Sequence, residues 1–282
     1  MPDKPSEDSV VLSARDDTVL TLTLNRPQAR NALSEGLMAA LQIALEDAAV
    51  DPTVRVVVIA ANGPAFSAGH DLKEMAPHWA DGDRGRHYYD RLMKQCSRLM
   101  QTIVRLPKPV VAQVQGIATA AGCQLVASCD LAVAVDSAKF ATPGVNIGLF
   151  CSTPMVALSR NVARKQSMEM LLTGDMIDAN RAREIGLINR VVPAAALREE
   201  TLKLARQIAS KSRVTVAIGK EAFYRQLEMG LSDAYAYASE VMTRNMLEAD
   251  AEEGICAFID KREPKWGRSS FLGPRASCPL LK

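Results

Sequence analysis

The sequence contains few of the residues that most often build metal and redox sites. Its 282 residues include only three histidines, His70, His78 and His87. The six cysteines are scattered, without the close pairs typical of zinc sites or the density of a disulfide-rich secreted domain. We therefore predict no bound metal.

The sequence also lacks an excess of one charge. Its 34 basic and 32 acidic residues leave a formal net charge of +2, and no basic cluster is dense enough to follow a phosphodiester backbone. Basic and aromatic residues do not alternate in the way typical of RNA-binding surfaces. We therefore expect no nucleic-acid partner.

Long hydrophobic runs are missing as well. The apolar stretches at 54–61 and 131–135 end well before the ~18 residues that a membrane span needs. The first eight residues have no apolar segment resembling a signal peptide. These features predict a cytoplasmic protein without a membrane partner, and the 48% apolar content is enough for a large core.

Short periodic segments follow one another in the order strand, strand, helix. Residues 19–24 alternate between apolar and polar side chains, as a half-buried strand does, and Ser34 is placed to cap the helix that follows. The order recurs after Lys108. From Ala195 onward the pattern is helical, so we predict a core at 1–205 and a helical region at 206–282 that ends in a loose tail.

Two segments share an unusual design, in which a buried strand leads into a turn of small residues. The strand at 54–61 leads through 62–64 to Phe66–Leu72, and the segment at 109–125 has the pattern of a buried strand, then a turn of small residues, then the start of a helix. Two such turns could direct two backbone N–H groups at one oxygen. We interpret them as parts of an active site.

Five blocks of residues, taken in order, resemble the crotonase family, also called the enoyl-CoA hydratase/isomerase superfamily. The resemblance runs from about Thr18 to Trp266 and is nearest to the enoyl-CoA hydratase domain-containing group. It implies an α/β fold, a spiral of strand-strand-helix turns followed by a helical C-terminal region that builds homotrimers or hexamers. The blocks are Thr21–Leu33, Phe66–Lys73, Lys108–Asp130, Leu172–Gly174 and Ala257–Arg262.

The resemblance also implies an acyl-CoA thioester as the ligand, with no cofactor besides the coenzyme A of the substrate. The thioester oxygen would lie between the backbone N–H groups of His70 and Ala121, because fixed amide donors stabilise the charge of an enolate. The His70 imidazole could in addition face the substrate. The nucleotide end of coenzyme A would lie near two groups of residues, Ala68, Asp71, Leu72 and Lys73 in the core and Phe258 and Lys261 in the C-terminal region.

The sequence departs from the family at the positions that carry chemistry. Gln124 and Gly144 stand where active hydratases have two glutamates, and Ser152 stands where related isomerases and dehalogenases have an aspartate. Neither an amide nor a glycine exchanges protons near neutral pH. The sequence therefore predicts an acyl-CoA lyase or isomerase of fatty-acid or related metabolism without the ordinary hydratase mechanism. The alternative is a non-catalytic acyl-CoA-binding or regulatory paralogue.

Overall fold

The computed structural model describes residues 9–267, which divide into two compact units. The first unit runs to Leu106 and from Val110 to Arg206, and the second comprises Pro107–Pro109 and the chain from Gln207 onward. The boundary falls inside a helix.

Within residues 9–206, ten strands belong to the first unit and form two sheets. The strands are β1 (Val11–Asp16), β2 (Val19–Leu24), β3 (Val56–Ala61), β4 (Ala65–Ser67), β5 (Val110–Val114), β6 (Ile117–Thr119), β7 (Leu131–Val135), β8 (Lys139–Ala141), β9 (Ile177–Asp178) and β10 (Arg190–Val192). One sheet has the order β1-β2-β3-β5-β7-β10, and the other has the order β4-β6-β8-β9.

Eleven α-helices occur in residues 9–267. They are α1 (Glu35–Val50), α2 (Leu72–Met75), α3 (Arg86–Arg105), α4 (Ala121–Ser128), α5 (Ser152–Asn161), α6 (Arg164–Thr173), α7 (Ala179–Glu184), α8 (Leu197–Ala209), α9 (Arg213–Gln226), α10 (Leu231–Met246) and α11 (Ala249–Ile259).

The first unit is a spiral whose turns each add one strand to each sheet. β3, β5 and β7 are parallel neighbours in the larger sheet, while the strands that follow them, β4, β6 and β8, are parallel neighbours in the smaller one. Helices come after each strand pair, α2 and α3 after β4, α4 after β6, and α5 after β8. This arrangement confirms the predicted α/β spiral.

The local sequence explains the elements that support the spiral. The side chains of β3 are buried from Val56 to Ala60, as expected for a parallel strand covered on both faces. Helix α1 begins after Ser34, whose side chain accepts a hydrogen bond from the Leu37 N–H, as the sequence predicted. Helices α1 and α3 pack together through apolar faces that include Leu41 and Leu99.

The second unit is built from α9, α10 and α11. Ser212 caps α9 and also donates a hydrogen bond of 2.6 Å to the buried carboxylate of Asp250 in α11. Many large apolar side chains of this unit remain exposed, including Phe223, Tyr235 and Met242. No helix among residues 9–267 is both long and apolar enough to cross a membrane.

The functions predicted for the two parts of the chain remain predictions. An acyl-CoA-binding core at 1–205 and an oligomerisation region at 206–282 are functional assignments, which the fold of one chain leaves open. The predicted loose tail after Trp266 lies, apart from Gly267, outside the described residues.

Candidate functional site

The carboxyl ends of three neighbouring parallel strands define the candidate site. In the smaller sheet β6 lies between β4 and β8, and these strands end at Ser67, Thr119 and Ala141. Because parallel strands end at the same edge of a sheet, the residues that follow them share that edge. The structure thus brings together the turns at 68–71, 120–124 and 142–144, which contain most of the predicted core site residues.

The first two turns touch so closely that side chains are excluded between them. A Cβ on Gly69 would lie 2.8 Å from the Cβ of Ala120 and 3.2 Å from the backbone nitrogen of Ala121. A Cβ on Gly122 would lie 2.2 Å from the carbonyl oxygen of Ser67. Gly69 also has a φ of +90°, a region that favours glycine. Glycine at these two positions is therefore a steric requirement of the turn-to-turn contact.

The two predicted amide donors are left without acceptors among residues 9–267. The Leu33 N–H bonds the Gly69 carbonyl and the Ala120 N–H bonds the Ala141 carbonyl, whereas the N–H groups of His70 and Ala121 donate to no backbone carbonyl. Ala121 is the first residue of α4, where the N–H has no partner within the helix. Ala120, with φ 50° and ψ −121°, holds the turn in a conformation that non-glycine residues rarely adopt. Neither amide has a hydrogen-bond acceptor in the described part of the chain.

Asp71 fixes the end of the first turn. Its side chain caps α2 by accepting a hydrogen bond from the Lys73 N–H. It also accepts two hydrogen bonds of 3.1 Å from the Arg26 guanidinium. Sequence reasoning missed Arg26, although the residue lies in a block that carries the family resemblance.

Asn31 is a second supporting residue that the sequence did not single out. Its amide donates 2.8 Å hydrogen bonds to the carbonyls of Asn62 and Ala65, and its Oδ1 accepts from the Arg26 N–H. It is fully buried and has a φ of 50°. Asparagine is one of the few residues that tolerate a positive φ. An asparagine in this block was therefore the sequence signal that could have pointed to a strained turn.

The predicted coenzyme A contacts have different surroundings. Leu72 and Lys73 are exposed, Ala68 is half-buried, and the Ala68 N–H bonds the Arg30 carbonyl. Phe258 on α11 is 86% exposed, and Lys261 follows that helix in the second unit. Their predicted contact with the nucleotide remains a prediction.

Gln124 is buried on α4 and has a neutral environment. The Cys96 thiol donates a 3.9 Å hydrogen bond to Gln124 Oε1. Burial raises the pKa of Cys96 to about 12, so this thiol keeps its proton. The pair can orient a polar group but supplies no acid or base near neutral pH.

The space beside Gly144 is already filled. A Cβ there would lie 2.7 Å from the Leu149 carbonyl oxygen and 2.9 Å from Cys151 Sγ. Burial raises the pKa of Cys151, although an interaction with the Gly144 backbone opposes the shift. A reactive thiolate is therefore disfavoured. Ser152 is exposed, and its hydroxyl donates a hydrogen bond to the Phe150 carbonyl rather than to a group of the three turns.

His70 carries the least satisfied side chain of the site. Both ring nitrogens are buried, and neither has a well-formed hydrogen-bond partner among residues 9–267. Burial lowers the pKa of His70, and a weaker interaction with the Leu33 backbone opposes this. The imidazole is therefore neutral at neutral pH.

Residues 9–267 contain no group of three or more His, Cys, Asp or Glu side chains placed to hold a metal ion. The polar groups at the three turns include backbone amides, the Gln124 amide, the Cys151 thiol, the His70 imidazole and the buried hydroxyl of Thr142, which has no hydrogen-bond partner among the described residues.

Comparison with known proteins identifies the family of the sequence. The sequence matches the enoyl-CoA hydratase/isomerase family over residues 14–269. Enoyl-CoA hydratase domain-containing protein 3, mitochondrial, is 49% identical in Rattus norvegicus over 93% of this chain and 85% of the relative. The same protein of Homo sapiens is 49% identical over 90% of this chain and 82% of the relative.

Two crystal structures show the same fold over nearly the whole chain. An enoyl-CoA hydratase of Mycobacterium smegmatis has a TM-score of 0.87 and 54% identity, covering 91% of this chain and 98% of its own. Human enoyl Coenzyme A hydratase domain-containing protein 3 has a TM-score of 0.86 and 47% identity, covering 91% of this chain and 100% of its own.

The cytoplasmic prediction is wrong, because these curated relatives are mitochondrial proteins. A missing apolar signal segment carries no information on this point, since mitochondrial targeting segments are amphipathic and rich in arginine. The absence of a required cofactor, by contrast, is a property of the family, whose enzymes need only the coenzyme A of their substrate. The chain belongs to the enoyl-CoA hydratase/isomerase (crotonase) superfamily and, within it, to the enoyl-CoA hydratase domain-containing group.

Proposed function

We propose that the protein binds an acyl-CoA thioester and stabilises its enolate between the backbone amides of His70 and Ala121. Two observations support this proposal. The two turns are in contact, with Gly69 against the backbone nitrogen of Ala121, and neither amide has an acceptor among residues 9–267. Charge that develops on the thioester oxygen would meet two fixed donors. Removing one donor of such a pair typically raises the barrier by ~3 kcal/mol.

The proposed reaction is a lyase or isomerase reaction of acyl-CoA metabolism that does not use paired glutamates. Gln124 and Gly144 supply neither acid nor base, so a hydratase mechanism that depends on two carboxylates is unavailable. Enolate stabilisation alone still lowers the barrier to proton transfer at the α-carbon, because the two amides stabilise the charge that forms.

The contribution of the thioester oxygen can be measured by removing it. We expect butyryl-CoA to bind at least tenfold more tightly than S-butyl-CoA, which has the same chain length without the carbonyl, because tenfold corresponds to 1.4 kcal/mol. Isothermal titration calorimetry gives both affinities. With carbonyl-labelled butyryl-CoA, ¹³C NMR should show the downfield shift of a polarised thioester. Equal affinities and an unshifted carbonyl would contradict the oxyanion assignment.

A non-catalytic acyl-CoA-binding or regulatory paralogue is the second candidate. The filled space beside Gly144 favours it, because a carboxylate cannot enter this position without movement of Leu149 or Cys151. Mass spectrometry of mixtures with enoyl-, hydroxyacyl- and β-ketoacyl-CoA separates the candidates. Tight binding without conversion supports the regulatory function, and conversion rules it out.

We also propose a homotrimer or a hexamer as the working form and mitochondria as its compartment. The exposed apolar side chains of α9 and α10 support subunit contact, since large exposed apolar patches typically mark interaction surfaces. The mitochondrial relatives support the compartment.

A further inference from the structure

The His70 imidazole is a buried polar group that the fold does not use. Neither Nδ1 nor Nε2 has a well-formed partner among residues 9–267, although buried side-chain nitrogens are normally hydrogen-bonded. Neighbouring polar side chains of the same turn are satisfied. Ser67 Oγ donates to the Asn31 carbonyl at 2.8 Å, and the Asp71 carboxylate is paired with Arg26. The unused hydrogen-bonding capacity of the ring nitrogens therefore suits a ligand group as partner.

The position of the ring restricts what that partner can be. The backbone N–H of His70 is proposed to hold the thioester oxygen. The imidazole side chain is attached to the same Cα as this N–H. A bound acyl group has its α-carbon next to the same carbonyl. In the proposed complex, the imidazole and the α-carbon therefore flank the same contact between the thioester oxygen and the His70 amide.

The other side chains of the site do not change charge near neutral pH. Gln124 is an amide, Gly144 has no side chain, and burial raises the pKa of the Cys151 thiol. Histidine is the side chain suited to proton transfer at neutral pH. Burial lowers the pKa of His70, which keeps a free lone pair on the ring as a base requires.

No well-formed hydrogen bond holds the ring in its present orientation. The ring nitrogens are covered in the structure, but His70 as a residue is only half-buried. Rotation about the histidine χ2 bond has broad minima, and the present orientation provides only a weak interaction with the Leu33 backbone. Turning toward a ligand therefore exchanges that weak interaction for a new partner.

We propose that the His70 imidazole is a catalytic residue that removes the α-proton of a bound acyl-CoA thioester; this proposal rests on the proposed function. The neutral ring nitrogen takes the proton as the α C–H bond breaks. The electron pair of that bond forms the C=C bond of the enolate, and the π pair of the carbonyl moves onto the thioester oxygen, which the amides of His70 and Ala121 hold. The imidazolium then returns a proton to the α-carbon, and the thioester and the neutral ring are regenerated.

Hydrogen exchange at the α-carbon tests this step without knowledge of the physiological reaction. Acetyl-, butyryl- and octanoyl-CoA are incubated with the protein in D₂O, and deuterium at the α-carbon is measured by mass spectrometry and ¹H NMR. We expect exchange with the wild-type protein and a loss of at least ~100-fold in His70→Ala and His70→Gln, the usual contribution of a general base. Both variants keep the backbone N–H, so their acyl-CoA affinity should remain within about threefold of wild type.

Two controls separate catalysis from structural damage. His87→Ala removes another histidine that is exposed on α3, and its exchange rate should equal that of the wild type. Added imidazole should restore part of the exchange in His70→Ala, where the truncated side chain leaves room for it, and should have no effect on wild type. Circular dichroism checks that the variants are folded, and His70→Gln serves if the alanine variant is not.

Each result has a definite meaning. Binding without exchange in wild type, or equal exchange in folded His70→Gln and wild type, overturns the role of His70 and leaves the proposed acyl-CoA binding intact. Failure of all three thioesters to bind wild type overturns both proposals. Exchange that depends on His70 and returns with imidazole supports the proposal.

Discussion

Gly69 shows how one residue without a side chain sets the distance between the two turns. In Gly69→Ala the new Cβ would lie 2.8 Å from Ala120 Cβ, at a φ of +90° that alanine rarely adopts. We expect the free energy of unfolding to fall by about 1–3 kcal/mol. Acyl-CoA affinity should fall as well, because the turns must separate. Urea denaturation and calorimetry measure the two effects.

Gly36→Ala is the matched control for this substitution. Gly36 lies in the first turn of α1, and nothing lies within 4 Å of the Cβ that alanine would add. We expect the same or a higher stability, by up to about 1 kcal/mol, because alanine favours helix. Equal effects of the two substitutions would show that Gly69 is not under steric constraint.

Gly144 explains why restoring the family glutamates by substitution should fail. Gly144→Glu would place a Cβ 2.7 Å from the Leu149 carbonyl oxygen and 2.9 Å from Cys151 Sγ. We expect a loss of about 1–3 kcal/mol of stability and no crotonyl-CoA hydration by the Gln124→Glu, Gly144→Glu protein. Adding Cys151→Ala should recover part of the stability, since it removes one of the two obstacles.

Stability measurements on Gly144→Glu, with and without Cys151→Ala, form a double-mutant cycle that reports this contact directly. Additive effects would mean that the thiol does not oppose the new side chain. Hydration by the doubly substituted protein would show that the loop from 144 to 151 moves aside easily.

His70 should make stability depend on pH. Burial lowers its pKa in the folded state, so the unfolded chain binds the proton more readily. The stability that the neutral ring contributes is fully present above the ordinary histidine pKa. This stability is lost as the pH falls from that value toward the lower pKa of His70 in the folded state. Urea denaturation at several pH values should show stability falling below about pH 6.5. His70→Gln should weaken that fall, and an unchanged slope would contradict the assignment.

At the scale of elements, length decided what the sequence could predict. β2, β3 and α1 are long enough to show a hydrophobic pattern, and each lies where its pattern indicated. The strands of the smaller sheet were missed, because three residues such as those of β4 contain little more than one alternation. The positions of the amide donors could be predicted only because a resemblance supplied them, and their role stays a prediction. The contact of Gly69 with Ala121 joins residues that are distant in sequence, so no local pattern contains it.

The link between Arg26 and Asp71 is the element-scale interaction that should matter most for α2. Both side chains are largely buried, at 21% and 11% exposure, and the carboxylate also caps the helix. In Arg26→Ala the carboxylate loses its partner, and we expect a loss of about 2 kcal/mol with weaker acyl-CoA binding. Asp71→Asn keeps a capping oxygen and should cost less.

Arg15→Ala is the control for this ion pair. Arg15 pairs with Asp51 at the surface, with side-chain exposures of 40% and 33%. Exposed pairs contribute at most about 1 kcal/mol, so denaturation of this variant should resemble that of the wild type. A loss as large as that of Arg26→Ala would mean that burial does not distinguish the two pairs.

At the scale of the whole molecule, fold and chemistry rest on different residues. The spiral depends on buried strands and on glycines that let turns touch, and these features are intact. Positions 124 and 144, where the resemblance leads us to expect the acid and base of the family, hold glutamine and glycine. Family membership therefore establishes the architecture, while the reaction depends on what replaces those groups.

Self-association is the prediction that belongs to the whole molecule. The exposed apolar side chains of the second unit include Phe223 on α9 and Met242 on α10, which are 57% and 60% exposed. Burying such side chains in a subunit interface would stabilise an oligomer, by roughly 1.5–3 kcal/mol for each large side chain. Light scattering coupled to size-exclusion chromatography should give about three or six times the 30.5 kDa of one chain.

Phe223→Lys with Met242→Lys should shift the mass toward one chain, whereas Val50→Lys, at an exposed position of the first unit, should not. A wild-type mass of one chain would overturn the proposed oligomer, and an unchanged mass in the double variant would exclude this surface as the contact.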